Sequence, residues 1–268
     1  MAENPSKPSH LDPSDLGTKE YWDRLYDTEI TNHSLDPTDE GTIWFDDSSA
    51  EDKMVQFLQD KLPEVLGEGD WRQKCSFLDL GTGNGHFLFR LREGEYDEDD
   101  EDDDIKGQGW EGRLMGVDYS QKSIEFARRI ADDKGVGAES AEKQVEFQHW
   151  DIMTQDPAGV VLSGTQEKGW DVVLDKGTFD AISLSDEKDA SGRRIYERYR
   201  ERVEPLIRDG GLLLITSCNW TEDELKALFL VEGGSLHLVE ALKYKSFSFG
   251  GQKGQSVSSI CFRKEALR

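Results

Sequence analysis

Apolar positions along this chain repeat with two different periods, and the two take turns. Short runs rich in Leu, Val, Phe and Trp occupy Ser76–Leu80, Arg113–Val117, Val145–Trp150, Trp170–Leu174 and Leu212–Thr216. Such runs, bounded by turn residues, predict buried strands. Between them the apolar residues recur every three or four positions, which predicts amphipathic helices. One helix is expected over Leu16–Asp27, with Tyr21, Trp22, Leu25 and Tyr26 on one side. A second follows Ser48-Ser49-Ala50-Glu51, a capping-box spacing, carries Met54, Val55, Phe57, Leu58 and Leu62, and is ended by Pro63. Further helices are predicted from His86 to about Arg92, after Ser120 with Ile124, Phe126, Ala127 and Ile130, and over Arg193–Ile207, where Gly210-Gly211 stops it. Thr221 with Glu224 caps the next helix, and two strand-like runs, Leu236–Phe249 and Ser256–Arg263, close the chain around a glycine-rich turn. Strands alternating with helices predict an α/β fold, a parallel sheet with helices on both faces and an antiparallel C-terminal hairpin.

The chemistry concentrates where the first strand ends. Phe77-Leu78-Asp79-Leu80 runs into Gly81-Thr82-Gly83-Asn84-Gly85, and the second strand ends on Asp118-Tyr119. Glycines let the backbone approach a ligand, the helix start offers free N–H groups, and a strand-end carboxylate can take two ribose hydroxyls. A dinucleotide loop reads G-x-G-x-x-G so that a pyrophosphate can settle on the helix. Here the third glycine comes one residue early, and Asp79 at the loop mouth would repel a phosphate. A carboxylate there suits the ammonium of S-adenosylmethionine instead. Seven strands in this order, with that loop, give the Rossmann-like class I methyltransferase sheet.

Two more acids fall at strand ends. Asp151 follows His149-Trp150, where its carboxylate can take the adenine amino group while the N–H of Ile152 reaches a ring nitrogen; a turn-forming role is the alternative. Asp175 closes the fourth strand, where it can orient an acceptor amine or cap the following turn.

Composition narrows the setting. A chain of 268 residues supports one core with an N-terminal extension: a disordered tail at 1–15, a helical extension at 16–72 and the main domain at 73–268. Its net charge of −24 argues against binding that neutralises nucleic-acid phosphates. Ten of the acids crowd Glu93–Asp104, so an acidic insertion at about 93–106 is expected, either as a solvated loop or as a steering element for a basic substrate. Three widely spaced cysteines show neither a disulfide framework nor a zinc spacing. No apolar run is long enough to span a bilayer, so a cytoplasmic protein without membrane contact is expected.

Five blocks together carry a more specific likeness: Leu16-Gly17-Thr18-Lys19-Glu20-Tyr21-Trp22, Ile43-Trp44-Phe45, Leu78–Gly85, Leu174-Asp175-Lys176-Gly177-Thr178-Phe179-Asp180-Ala181-Ile182 and Leu214-Ile215-Thr216-Ser217-Cys218-Asn219-Trp220-Thr221. From Leu16 onward the chain resembles the eukaryotic elongation factor 1-alpha lysine methyltransferases of the elongation factor methyltransferase 4 type. The resemblance implies S-adenosylmethionine as donor, a lysine of translation elongation factor 1-alpha as acceptor, no direct nucleic-acid contact, and a monomer. On this reading Asp79, Gly81, Gly83, Asn84, Gly85, Asp118, Tyr119, Asp151, Ile152 and Asp175 hold the cofactor. Asp175 and Phe179 serve catalysis, and Trp44, Phe45 and Trp220 wall the acceptor entrance, although the two aromatics at 44 and 45 are equally compatible with ordinary core. No metal is expected. Two other classes stay open at this stage: a small-molecule N- or O-methyltransferase, and a non-catalytic cofactor-binding partner of a basic protein.

Overall fold

A computed structural model describes residues 10–67, 69–94, 109–136, 144–244, 247–249, 252–254 and 256–266. The acidic insertion read from sequence lies, from residue 95 on, outside the described residues. The chain runs α1 (Lys19–Leu35), α2 (Ala50–Leu66), α3 (Trp71–Lys74), β1 (Phe77–Leu80), α4 (His86–Glu93), β2 (Leu114–Asp118), α5 (Gln121–Lys134) and β3 (Val145–His149). It continues with β4 (Trp170–Lys176), α6 (Thr178–Ser183), α7 (Tyr199–Val203), β5 (Ile207–Ser217), α8 (Glu222–Phe229), β6 (Leu236–Leu242), β7 (Phe247–Phe249), β8 (Gln252–Gly254) and β9 (Ser258–Lys264). Seven of these strands form one sheet in the order β3-β2-β1-β4-β5-β9-β6; β7 and β8 pair separately. The first five are parallel, and β9 runs antiparallel between β5 and β6. The expected sheet and its antiparallel edge are therefore present.

Alternation along the central strands divides the core in two. Phe77, Val172, Leu174, Leu212 and Leu214 face α2, α4 and α5, where Met54, Leu58, Leu88 and Phe126 fill the layer. Their neighbours Leu78, Val173, Leu213 and Ile215 face the other way, toward Tyr199, Val203, Leu225 and Phe229. A strand buried on both faces is apolar at most positions, which is why these runs are nearly continuous in sequence, interrupted near their carboxyl ends by the buried acids Asp79 and Asp175.

Several boundaries differ from the sequence reading, each for a physical reason. Helix α1 continues to Leu35 because buried polar residues anchor its second half beside Ile30, which packs on the core. Glu29 accepts from the Thr42 N–H and hydroxyl, and His33 lies 2.9 Å from Asp133. Pro63 sits inside α2, which runs on to Leu66 because Leu62, Val65 and Leu66 pack on the core. The capping box expected at Ser48–Glu51 does not form: Ser49 is left-handed (φ 51°) and makes no side-chain cap. Arg193–Ile207 is not one helix; it breaks into 3-10 turns around α7, with Pro205 at the start of the last. Gly210-Gly211 lies within β5, where it absorbs a register shift against β4 rather than stopping a helix. The first C-terminal run likewise splits into β6 and β7. The Thr221–Glu224 capping box is present.

The N-terminal segment is laid over the carboxyl ends of the strands. Gly17 touches Leu184 so closely that a Cβ would fall 2.2 Å from its carbonyl. The Trp22 indole donates to Leu16 O (2.8 Å), and the Tyr196 hydroxyl meets His10 Nδ1 at 2.8 Å. Strand order reverses between the parallel neighbours β1 and β4, the place where open α/β sheets form ligand crevices.

Candidate active site

A pocket of about 660 Å³ opens at that reversal. The loop after β1 forms its floor. Gly81, Gly83 and Gly85 all have left-handed φ, between 59° and 80°. Only glycine fits there: a Cβ at Gly81 would lie 2.0 Å from the Thr178 hydroxyl, and one at Gly83 would lie 2.9 Å from the Tyr26 hydroxyl. Gly81, Gly83 and Asn84 line the pocket, whereas Gly85 does not; a Cβ there would strike Phe147, so its role is helix-to-sheet packing. Asn84 also ties the loop to the overlying segment by donating to Glu40 O (2.8 Å).

Acidic and aromatic groups surround this end. Asp79 and Asp118 both line the pocket although nearly buried, at 4% and 6% exposure. Burial pushes Asp79 up to about 7, with the Lys176 charge opposing it. Asp118 is pushed up to about 6 by the same cause, opposed by the Ser120 N–H, the Ser123 hydroxyl and the Gly83 N–H. Those three bonds (2.8, 2.9 and 3.2 Å) fix the carboxylate's orientation. Tyr119, Trp150, Asp151 and Ile152 complete the wall. Asp151 also orders its own turn, accepting from Met153 N (2.8 Å) and the Thr154 hydroxyl (2.6 Å), so the turn-forming role is present alongside the lining one.

The far end is built from distant segments. Leu16, Trp22, Trp44, Phe45, Glu51, Lys176, Ile182, Leu184, Cys218 and Asn219 line it. Trp22 and Trp44 meet edge to face at 5.3 Å between ring centroids. Lys176 donates to Trp44 O (3.1 Å) and lies 6.0 Å from the centroid of the Phe45 ring.

Three residues expected at this entrance are elsewhere. Asp175 is fully buried below the pocket and absent from its lining. It accepts from Thr178 N (2.8 Å), from Phe179 N (3.1 Å) and from the Tyr199 hydroxyl, which consumes both oxygens. Burial pushes it up to about 7 against those bonds. Its carboxylate is thus committed to the chain's own donors rather than presented to the pocket. Phe179 and Trp220 stack on each other at 5.9 Å in the core, at 1% and 2% exposure, and neither lines the pocket. The Trp220 indole donates to Ser183 (3.1 Å), which fixes it as a core tryptophan. Sequence reasoning missed Tyr26, Lys176 and Glu51. Lys176 stood beside the aspartate that drew attention, and Glu51 read as a capping residue.

The residues present fit S-adenosylmethionine. Two carboxylates face a glycine cradle with aromatic walls beyond, a donor set for a cationic amino acid joined to a nucleoside, and one that would repel a pyrophosphate. Among the described residues no group of three or more His, Cys, Asp or Glu could hold a metal ion, and no helix is long and apolar enough to cross a membrane.

Residues 72–255 match the model of a methyltransferase domain. The chain is 39% identical to the protein-lysine N-methyltransferase EFM4 of Saccharomyces cerevisiae, covering 95% of this chain and 97% of that one. It is 34% identical to the human EEF1A lysine methyltransferase 2, covering 94% and 88% respectively. Among solved structures, the N-methyltransferase NodS of Bradyrhizobium japonicum, crystallised with S-adenosyl-L-homocysteine, shares the fold at a TM-score of 0.51 and 16% identity, covering 91% of this chain and 98% of that one. An S-adenosylmethionine pocket on a class I sheet, in a chain matched over 94–95% of its length by these two lysine methyltransferases, places the protein in the EFM4 and EEF1A lysine methyltransferase 2 family of protein-lysine N-methyltransferases.

Proposed function

We propose that this enzyme methylates a lysine side chain of translation elongation factor 1-alpha. The observation that carries the reading is the near-complete coverage by relatives whose names specify that substrate, over the segments that build the acceptor end of the pocket as well as those that build the donor end. A net charge of −24 adds long-range attraction for a basic protein surface.

When bound, S-adenosylmethionine supplies an electrophilic methyl group on a sulfonium. The chain's own residues hold the participants in line. Asp79 would hold the donor's ammonium, Asp118 its ribose, and Asp151 with the Ile152 N–H its adenine. At the other end Trp22, Trp44 and Phe45 sheathe the lysine stem. A free lysine titrates at about 10.4, so it must give up a proton before attack. Apolar walls disfavour the charged form, and a cation next door does so further, which raises the neutral fraction. Displacement then needs alignment more than acid-base power.

Incubation with purified elongation factor 1-alpha and labelled donor, followed by peptide mass spectrometry, tests this. Label on lysine of that protein is expected. Labelling of other proteins or of small amines, with elongation factor 1-alpha left blank, would overturn the assignment.

A further inference from the structure

With Asp175 sealed in the core, the acceptor end needs another group to receive the incoming lysine. Asp180 does line the pocket, but each of its oxygens already accepts a hydrogen bond, one from the Ser217 hydroxyl and one from Cys218 N (2.8 Å). We propose that Glu51, on the first turn of α2, is the carboxylate that receives and orients the substrate lysine. The inference rests on the lysine-methylating reading above and names a residue for it.

Glu51 lines the pocket, yet only 5% of it is exposed. Its Oε2 is fixed by His86 Nδ1 at 2.7 Å, so one side of the carboxylate is anchored. Its Oε1 is buried without a hydrogen-bond partner. The Lys176 ammonium stands 3.3 Å from that oxygen, near enough for the charges to pair but not angled as a hydrogen bond. Oε1 therefore keeps acceptor capacity that burial makes costly to leave unused. Burial acts to raise the Glu51 carboxyl, but the His86 bond and the Lys176 charge outweigh it and hold the group below the usual range.

The surroundings of that oxygen match what a second ammonium or amine would need. Lys176 shows that a cationic nitrogen is accommodated between a carboxylate, the Trp44 carbonyl and the Phe45 ring. An aliphatic stem along the aromatic faces, with its nitrogen turned to Oε1, repeats that environment. The backbone gives independent support. Phe45 and Ser49 are the two non-glycine residues with left-handed φ among the described residues, at 67° and 51°. They bracket the short turn between the aromatic pair and Glu51. Strain of this kind persists where the surrounding structure holds a functional geometry. It also explains why Ser49 fails to cap α2: the chain enters the helix from a direction that turns Glu51 into the pocket.

The roles separate in one experiment. Wild-type protein, Glu51→Gln and Glu51→Asp are each loaded with donor and mixed with elongation factor 1-alpha under single-turnover conditions, with calorimetry of S-adenosylhomocysteine binding and thermal melts run in parallel. Glu51→Gln keeps the shape and loses the charge. It should bind S-adenosylhomocysteine within about threefold of wild type yet slow methylation by about 30-fold or more, while Glu51→Asp should fall between the two. A Glu51→Gln variant that transfers methyl at a wild-type rate overturns the proposal. If that variant does not fold, Glu51→Asp decides the matter, because a withdrawn carboxylate that leaves the rate unchanged is equally fatal. A wild-type enzyme that is silent toward lysine refutes the substrate assignment instead, so the two failures are distinguishable.

Discussion

Asp118 and Asp175 occupy corresponding places near the carboxyl ends of two parallel strands, yet they do opposite work. Asp118 keeps an open side toward the pocket, because its three protein donors come from the glycine loop and the start of α5 on one flank only. Asp175 is enclosed from two directions. The start of α6 supplies two N–H groups from below, and Tyr199 on α7 closes the remaining side. The difference lies in what is packed over each strand end. A loop of glycines leaves space above Asp118, whereas the aromatic cluster of Phe179, Tyr199 and Trp220 leaves none at Asp175. A carboxylate at a strand end is thus open to a pocket only if nothing bulky is folded onto it.

The largest expected effect comes from breaking the sealed side. Asp175→Ala would leave three buried donors unpaired and open a void, which should cost about 3 kcal/mol or more of stability and lower the melting temperature by several degrees. Asp175→Asn retains an acceptor for the Thr178 and Phe179 N–H groups, and the Tyr199 hydroxyl can turn to accept from the new amide. That variant should stay folded and methylate within about fivefold of wild type. A folded Asp175→Asn protein with activity lowered a hundredfold would show that the residue does serve the reaction and would dissolve the contrast with Asp118.

The open side carries a different signature, in pH. Asp79 and Asp118 are raised by burial to about 7 and about 6. A carboxyl whose folded pKa lies above its unfolded value contributes stability at low pH, fully present below about 4 and lost as pH rises through the folded pKa. For the empty pocket, stability from these two groups should therefore decline between pH 4 and pH 8. Cofactor binding should move the other way, because a cationic ligand favours the ionised forms. Affinity for S-adenosylmethionine should rise about tenfold from pH 6 to pH 8, with proton release at the lower pH. Calorimetry in buffers of different ionisation enthalpy measures both; an affinity flat across that range would mean the two acids are already ionised without ligand.

The donor half was legible in the sequence because it is local. Asp79 to Gly85 and Asp118 to Ile152 sit at strand ends that periodicity locates, and their chemistry follows from a few adjacent residues. The acceptor half was not, because it is assembled from residues far apart in the chain. Trp22, Trp44, Glu51, Lys176 and Asn219 meet only once α1 and the turn before α2 are folded over the sheet. Pattern reading also misjudged groups whose burial depends on polar partners. The second half of α1 looked too polar to continue, although Glu29 and His33 are buried and satisfied. Trp220 looked like an entrance wall, although a serine beneath it takes its indole N–H. Family likeness drew attention to the Asp175 block, part of which lines the pocket, but could not say which of its side chains face outward.

The smallest expected effect tests whether the two halves of the pocket are energetically separate. Trp44 is partly exposed, leans on Trp22, and contributes its carbonyl rather than its ring to holding Lys176. Trp44→Ala therefore keeps the Lys176 tether and removes only an aromatic face from the acceptor end. Losing one partly solvated contact with a lysine stem should raise KM for elongation factor 1-alpha by about three- to tenfold, since cation–π and stem contacts of this kind are worth about 0.5 to 1 kcal/mol or somewhat more when desolvated. The rate at saturating substrate should change less than KM, and S-adenosylhomocysteine affinity should not change at all if, as proposed, the donor end is carried by the loop after β1 and by Asp118. Steady-state kinetics with varied elongation factor 1-alpha, beside calorimetry of the product cofactor, separates these quantities. Equal losses in both would show that the overlying segment grips donor and acceptor together, and that the pocket works as one unit rather than two.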